Sequence, residues 1–287
     1  MYPDKVLGTA NFNNLYGVTK KSIKKDQIES ILNTAWNAGF RYLDTAADYK
    51  GVHELLHKSN QFSINDWKVI TKLPKNLQNL DQESYKLVIL DFFNSLKDNF
   101  KINRIQTILI HDHNFLKNIS DNKMVLDLLL EEKNKGFFEN LGLSVYDPIP
   151  SKQINLLHNF LNEFVIQCPL SIFDRRFEDN INDSSNNCKF QARSIFLQGL
   201  LLNEQVFKMK FPKSIAFDVF KKWLADNQMS SYEACISFVK HSKVSQIVVG
   251  FNSEKEIYEF DSVYENAKII NPPAFCNDID ILNPINW

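Results

Sequence analysis

The chain has 287 residues, 44% hydrophobic and 13% aromatic, which is far too apolar for a disordered chain and enough for a large core. Its 33 Lys and Arg nearly cancel its 34 Asp and Glu, and no block of like charge stands out, so neither nucleic acid nor a membrane surface is an expected partner. The first residues, Met1-Tyr2-Pro3-Asp4-Lys5, carry no signal-like apolar stretch, no run of about 18 apolar residues occurs, and Cys168, Cys188, Cys235 and Cys276 lie far apart, so a cytoplasmic protein without disulfides or a metal site is expected.

Short β-branched or apolar runs alternate with longer segments carrying an apolar residue every three or four positions, the pattern of βα units on a parallel sheet. The first strand is read over Lys5–Ala10. A helix follows from Gln27 to Ala38, with Ile28, Ile31, Leu32 and Ala35 on one face and Gly39 as its stop signal. Strands over Arg41–Ala46 and Lys68–Leu73 precede a helix carrying Tyr85, Val88, Ile89, Phe92, Phe93 and Leu96. Next come a strand over Thr107–Asp112, a helix carrying Val125, Leu128 and Leu129 before Gly136, and a strand over Glu139–Val145. A helix over Ile154–Leu161 and a strand over Glu163–Cys168 lead into Phe177–Cys188, which is polar and poorly patterned and reads as mixed helix and loop. The remaining elements are strands over Phe190–Phe196 and Gln246–Gly250 and helices over Phe217–Leu224, Tyr232–Val239 and Glu254–Tyr264.

Eight such units can close into a barrel or form an open doubly wound sheet. The open sheet cradles pyrophosphate on G-x-G-x-x-G after its first strand, whereas here Asn11-Phe12-Asn13-Asn14 follows and the whole chain holds eight glycines. The expectation is therefore one (β/α)8 TIM barrel domain spanning residues 1–287.

A strand buried on both faces should be nearly all Val, Ile and Leu, so an ionisable residue at its end needs a reason. Asp44 closes Arg41-Tyr42-Leu43, Lys72 closes Val69-Ile70-Thr71, and His111 closes Ile108-Leu109-Ile110. In a barrel those ends open onto one mouth, and Tyr49 lies in the loop above it. Taken singly, an Asp after a strand is more often a turn residue, a His a satisfied core residue, and a Tyr packing. Together they suit carbonyl reduction. A phenol of pKa about 10 is too weak an acid unless its anion is stabilised, which Lys72 would do. Asp44 would keep Lys72 charged and oriented, and His111 would align the substrate oxygen, with no metal required.

The segments Leu43-Asp44-Thr45-Ala46-Ala47-Asp48-Tyr49, Ile70-Thr71-Lys72-Leu73 and Leu109-Ile110-His111-Asp112 resemble the three catalytic signatures of the aldo-keto reductase superfamily, in order and spacing. Leu141-Gly142-Leu143-Ser144-Val145, Val165-Ile166-Gln167-Cys168-Pro169 and Ser194-Ile195-Phe196-Leu197-Gln198-Gly199-Leu200-Leu201 resemble its cofactor strands, and Ile247-Val248-Val249-Gly250-Phe251-Asn252-Ser253 its adenosine-binding end. The resemblance runs from about Val6 to Tyr264. It implies a barrel that binds NADPH or NADH without a Rossmann fold, reduces aldehydes or ketones, and is monomeric. It also implies that Asp44, Tyr49, Lys72 and His111 form the catalytic tetrad, and that Ser144 and Gln167 hold the nicotinamide carboxamide. Arg193 stands where many relatives stack an aromatic ring on the nicotinamide, Ser194 would approach the pyrophosphate, and Gly250, Asn252 and Ser253 would form part of the adenosine end.

Three positions depart from the pattern. Lys50-Gly51-Val52-His53-Glu54 is one residue longer than in relatives, and Phe260 replaces a common Asn. Glu256 falls where relatives using the phosphorylated cofactor place Arg or Gln; a carboxylate would repel a 2′-phosphate and Lys255 would offset it, leaving a slight lean to NADPH. For the substrate, Phe12, His113, Asn114, Phe115 and the tail from Asn271 to Trp287 are candidate specificity elements, and the stretch Arg193 to Leu202 resembles bacterial members associated with carbohydrates, which suits a sugar-derived carbonyl. Two other classes compete. One is a nicotinamide-binding subunit without catalysis, against which the intact tetrad argues, and the other is a Schiff-base lyase, for which Lys72 would have to be unpaired.

Overall fold

The computed structural model describes residues 2–13, 15, 17, 23–75, 80–100, 105–111, 123–183 and 187–287. Eight parallel strands close into a barrel in chain order: β1 (Asp4–Gly8), β2 (Tyr42–Asp44), β3 (Lys68–Lys72), β4 (Ile105–Ile110), β5 (Asn140–Ser144), β6 (Phe164–Pro169), β7 (Cys188–Arg193) and β8 (Gln246–Val249), the last pairing with β1. The helices are α1 (Lys25–Asn37), α2 (Val52–His57), α3 (Asn60–Ile64), α4 (Gln82–Asn99), α5 (Lys123–Asn134), α6 (Ser151–His158), α7 (Glu178–Asn182), α8 (Glu204–Lys210), α9 (Ala216–Asp226), α10 (Ser231–Lys240), α11 (Glu254–Asn266) and α12 (Ile279–Leu282). Among the described residues no helix is long and apolar enough to cross a membrane.

Because each lays an apolar stripe on the outer face of the strands, the periodic helices form where the pattern puts them, except that α6 lies three residues earlier than the expected Ile154–Leu161. Ile28, Ile31, Leu32 and Ala35 of α1 are all buried, and α1 stops at Gly39, whose φ of +84° lets Phe40 N–H reach back to Ala35 O. Elements the sequence did not reveal are short ones, α2, α3, α8 and α12, each too brief to show a period. The polar stretch after Phe177 contains one such helix, α7, and then the start of β7 at Cys188. That strand ends at Arg193, three residues before the expected Phe196, because Ser194 turns left-handed with φ of +57°. β4 runs from Ile105, two residues earlier than expected, through a bulge that opposes Val69 to Ile105 and Ile70 to Thr107; Asp112 lies outside the described residues.

Side chains alternate across a strand, so the barrel interior is layered. Val6, Ile70, Leu109 and Val165, with Tyr42 and Val248, form a small apolar cluster separate from the large core between strands and helices. Two residues further along each of these strands the chain again faces inward, and those positions hold Gly8, Lys72, His111, Gln167, Asp44 and Gly250. An apolar plug thus floors a polar layer. β5 fits between its neighbours only because residue 142 has no side chain: a Cβ there would sit 2.2 Å from Val165 O and 2.8 Å from a methyl of Leu109.

The carboxy-terminal segment packs on the outside. Phe275 touches the rings of Phe173, Phe220 and Trp223, with centroids 5.6, 5.0 and 5.7 Å away, and Pro272 O accepts from Arg175 Nη1 at 3.0 Å.

Candidate active site

The strand ends open into one cavity of about 810 Å³, and Asp44, Tyr49, Lys72 and His111 all line it. Lys72, wholly buried, donates to both carboxylate oxygens of Asp44 at 2.7 Å and to Thr45 O at 2.9 Å, so its three N–H bonds are all engaged. Burial pulls the Lys72 ammonium below its ordinary pKa, and Arg193 and Lys75 pull the same way, while the Asp44 carboxylate pushes back. The ammonium lies 5.7 Å from the centre of the Tyr49 ring. The backbone holds Tyr49 over the mouth through a turn in which its N–H donates to Ala46 O and its carbonyl accepts from Val52 N–H, both at 3.1 Å.

His111 is nearly buried, and desolvation lowers its pKa, so its imidazole is neutral at pH 7. Its Nδ1 lies 3.5 Å from Asp48 Oδ2, which is too loose for a formed hydrogen bond and couples the two groups through their field instead. Burial opposes ionisation of Asp48, yet His111 and the backbone N–H of Lys75, 3.2 Å away, hold its carboxyl below the usual range. Asp48 therefore ties the loop before Tyr49 to the loop after β3. On the far side of Lys72, His53 on α2 bonds Thr71 Oγ1 at 3.3 Å and sits edge-on to Phe100; burial, and secondarily the Lys72 charge, push its pKa down to about 4.

From the rim inward, a second polar arc is built from amides. Gln167 Nε2 donates to Asp44 Oδ1 at 2.7 Å and to Gln191 Oε1 at 3.2 Å, and Gln191 Nε2 donates to Gln246 Oε1 at 2.6 Å. A carboxylate only accepts, so Asp44 fixes which end of each amide points where along the whole chain of three. The direction leaves Gln167 Oε1 buried and, among the described residues, without a hydrogen-bond partner, in a side chain that lines the cavity.

Of the remaining residues expected to contact a dinucleotide, Ser144, Arg193, Ser194, Gly250 and Asn252 line the same cavity. Arg193 lies with its guanidinium 4.2 Å from the Tyr146 ring centre and donates to Val145 O at 2.9 Å. Ser253 is not a lining residue; its hydroxyl caps α11 by accepting from Glu256 N–H at 3.3 Å. Ser194, Leu197, Gln198 and Gly199 all have positive φ, so the chain after β7 wraps tightly around the cavity edge. Two groups of expected specificity residues are placed elsewhere. Phe12 is fully buried in the outer core, and none of residues 271–287 lines the cavity, because the aromatic contacts of Phe275 hold that segment on the outer wall. His113, Asn114 and Phe115 lie outside the described residues.

Sequence reasoning did not single out Lys75, Tyr146, Tyr232 and Glu259, which also line the cavity. Nothing in their local pattern marks them, since each reads as an ordinary loop or helix-surface residue until the barrel closes.

The profile described as Aldo/keto reductase family matches residues 6–269. No curated protein matches the chain. Among solved structures, an aldo-keto reductase from Bacillus halodurans, described as a holo form, superposes with a TM-score of 0.68 at 17% identity, covering 93% of this chain and 88% of that one. The glycerol dehydrogenase of Gluconobacter oxydans superposes with a TM-score of 0.63 at 18% identity, covering 94% of each chain. At such identities the superpositions speak for the fold; the profile, matching nearly the whole length, shows that the chain belongs to the aldo/keto reductase family.

Proposed function

We propose that the protein reduces an aldehyde or ketone, sugar-derived or otherwise polar, to an alcohol with NADPH or NADH. The observation that carries this reading is the buried Lys72–Asp44 pair opening onto the same cavity as Tyr49 and His111. When bound, the reduced nicotinamide supplies the hydride, and the chain supplies the proton and the geometry. Tyr49 gives its phenolic proton to the carbonyl oxygen as charge develops there. Lys72, charged and close to the ring, stabilises the phenolate left behind, and Asp44 holds that ammonium charged in a buried setting. Neutral His111 hydrogen-bonds the carbonyl oxygen without competing for the proton, and so orients the substrate.

The residues present suit a nicotinamide. The unpartnered Oε1 of Gln167 is an acceptor waiting for an N–H donor, which the carboxamide has, and the Ser144 hydroxyl lines the same cavity. Arg193 and Lys75 add positive charge for a pyrophosphate. The same geometry argues against a Schiff-base lyase, because an amine with three acceptors and a carboxylate counter-ion is a poor nucleophile.

The test is a fluorescence titration with both dinucleotides, then a panel of aldehydes and ketones followed by nicotinamide oxidation, in the wild type and in Tyr49→Phe. The expected result is turnover that falls by a factor on the order of 10³ in Tyr49→Phe, with dinucleotide affinity nearly unchanged. Undiminished turnover in the variant refutes the assigned acid. Dinucleotide binding with no turnover anywhere in the panel would favour a non-catalytic subunit.

A further inference from the structure

The cavity has a second end, away from the tetrad, formed by Ser230, Ser231, Tyr232, Asn252, Glu256 and Glu259. Both acids are close enough to Tyr232 that, after burial, their charges help raise its pKa. The cations that line the cavity among the described residues are Lys72, Lys75 and Arg193, from the ends of β3 and β7 and the loop after β3. Lys255 is exposed and is not a lining residue.

Helix α11 starts at this end, and the start of a helix would ordinarily be a place for a phosphate. Here Ser253 caps the helix, and the Glu256 carboxylate folds back onto Asn252 just before it. Glu256 Oε2 accepts from Asn252 N–H at 2.7 Å and from Asn252 Nδ2 at 3.3 Å, while Ser253 Oγ takes the N–H of Glu256. Asn252 is itself fixed, since its Oδ1 accepts from Asn11 Nδ2, which also donates to Phe251 O. The carboxylate therefore cannot swing aside without leaving the Asn252 N–H unpaired. A phosphate arriving here would meet two carboxylates, a helix N–H already taken by Ser253 and, among the described residues, no lining cation beyond the distant Lys72, Lys75 and Arg193.

Resting on the nicotinamide reading above, we infer that Glu256 and Glu259 exclude a 2′-phosphate and make NADH the working cofactor. Carboxylates are natural acceptors for the free ribose hydroxyls of NADH, whereas the 2′-phosphate of NADPH carries nearly two negative charges. In a half-exposed groove the discrimination should be about 10- to 100-fold in affinity.

The experiment is equilibrium titration of the whole protein, read by nicotinamide emission and tryptophan quenching, with NADH, NADPH, 5′-AMP and adenosine 2′,5′-bisphosphate as separate ligands. Glu256→Gln keeps an oxygen for the Asn252 N–H and leaves the Ser253 cap in place; a thermal melt checks this. The expected result is that wild type prefers NADH over NADPH, and 5′-AMP over the bisphosphate, by at least about tenfold. Glu256→Gln should narrow the gap several-fold, mostly by gaining NADPH affinity, and Glu256→Gln/Glu259→Gln should remove most of it. Raising the salt concentration should narrow the wild-type gap too, as it screens the repulsion. Wild type binding NADPH as tightly as NADH overturns the inference, and so does a gap unchanged in the double variant. Binding of neither dinucleotide would bring down the nicotinamide reading itself, and this inference with it.

Discussion

The barrel holds two polar arcs that handle polarity differently. At the mouth, β2 to β4 present ions or ionisable groups, Asp44, Lys72 and His111, whereas from Gln167 of β6 a chain of neutral amides runs through Gln191 of β7 to Gln246 at the amino end of β8, and neither of these last two lines the cavity. They meet at the hydrogen bond from Gln167 to Asp44. A buried charge is costly and is kept where a proton has to move, while a buried amide costs less and sets direction by its donor and acceptor ends. The Asp44 carboxylate does both jobs, holding Lys72 charged on one side and orienting the amide chain on the other.

The sharpest way to break the ionic arc is Asp44→Asn. It leaves a buried ammonium facing a neutral amide, and should cost about 3–5 kcal/mol in urea unfolding together with nearly all turnover. A stable, active Asp44→Asn would mean that the two arcs are not joined through this carboxylate. β5, which sits between the arcs, is next: Gly142→Ala puts a methyl into the backbone of β6 and should cost about 3 kcal/mol, or prevent folding, with no change in local charge. An unaltered melting curve would show that β5 and β6 can part at no cost.

The reach of the ionic arc beyond the rim is read at His53. Its folded pKa of about 4 lies below the unfolded value of 6.5, so the unfolded chain binds the proton first as pH falls. The contribution is complete above pH 6.5, is lost between pH 6.5 and about 4, and amounts to at most about 3 kcal/mol. His53→Gln should flatten stability against pH across that window; an unchanged slope would place the titration elsewhere. The smallest effect belongs to the amide arc. Gln191→Leu removes one acceptor and one donor, should cost about 1 kcal/mol, and should weaken dinucleotide binding while leaving turnover at saturation nearly intact. A large fall in saturated turnover would instead make the amides part of the chemistry.

The ionic arc was legible in the sequence because Asp44, Lys72 and His111 interrupt strands that should be apolar. The amide arc was not. Gln191, in Phe190-Gln191-Ala192, reads as ordinary alternation toward solvent, and Gln246 opens its strand, so neither looks misplaced until the ring closes and puts them side by side. Gln167 came into view only through family resemblance. The barrel itself was readable from eight repeats, but the end of β7 was not, since Ser194, Leu197 and Gln198 adopt left-handed backbone angles that residue type does not advertise. Glu256 was visible as an odd residue; that it is locked onto Asn252 was not, because side chains four positions apart can as easily face water.

Anchored by Phe275 against Phe173, Phe220 and Trp223, the last stretch of the chain braces α9 and the loop after β6 and does not line the cavity. Altering it would change how long the protein survives heating and not which compound it accepts. Selectivity and durability are thus written in different parts of the polypeptide, and a lineage could revise either one while leaving the other alone.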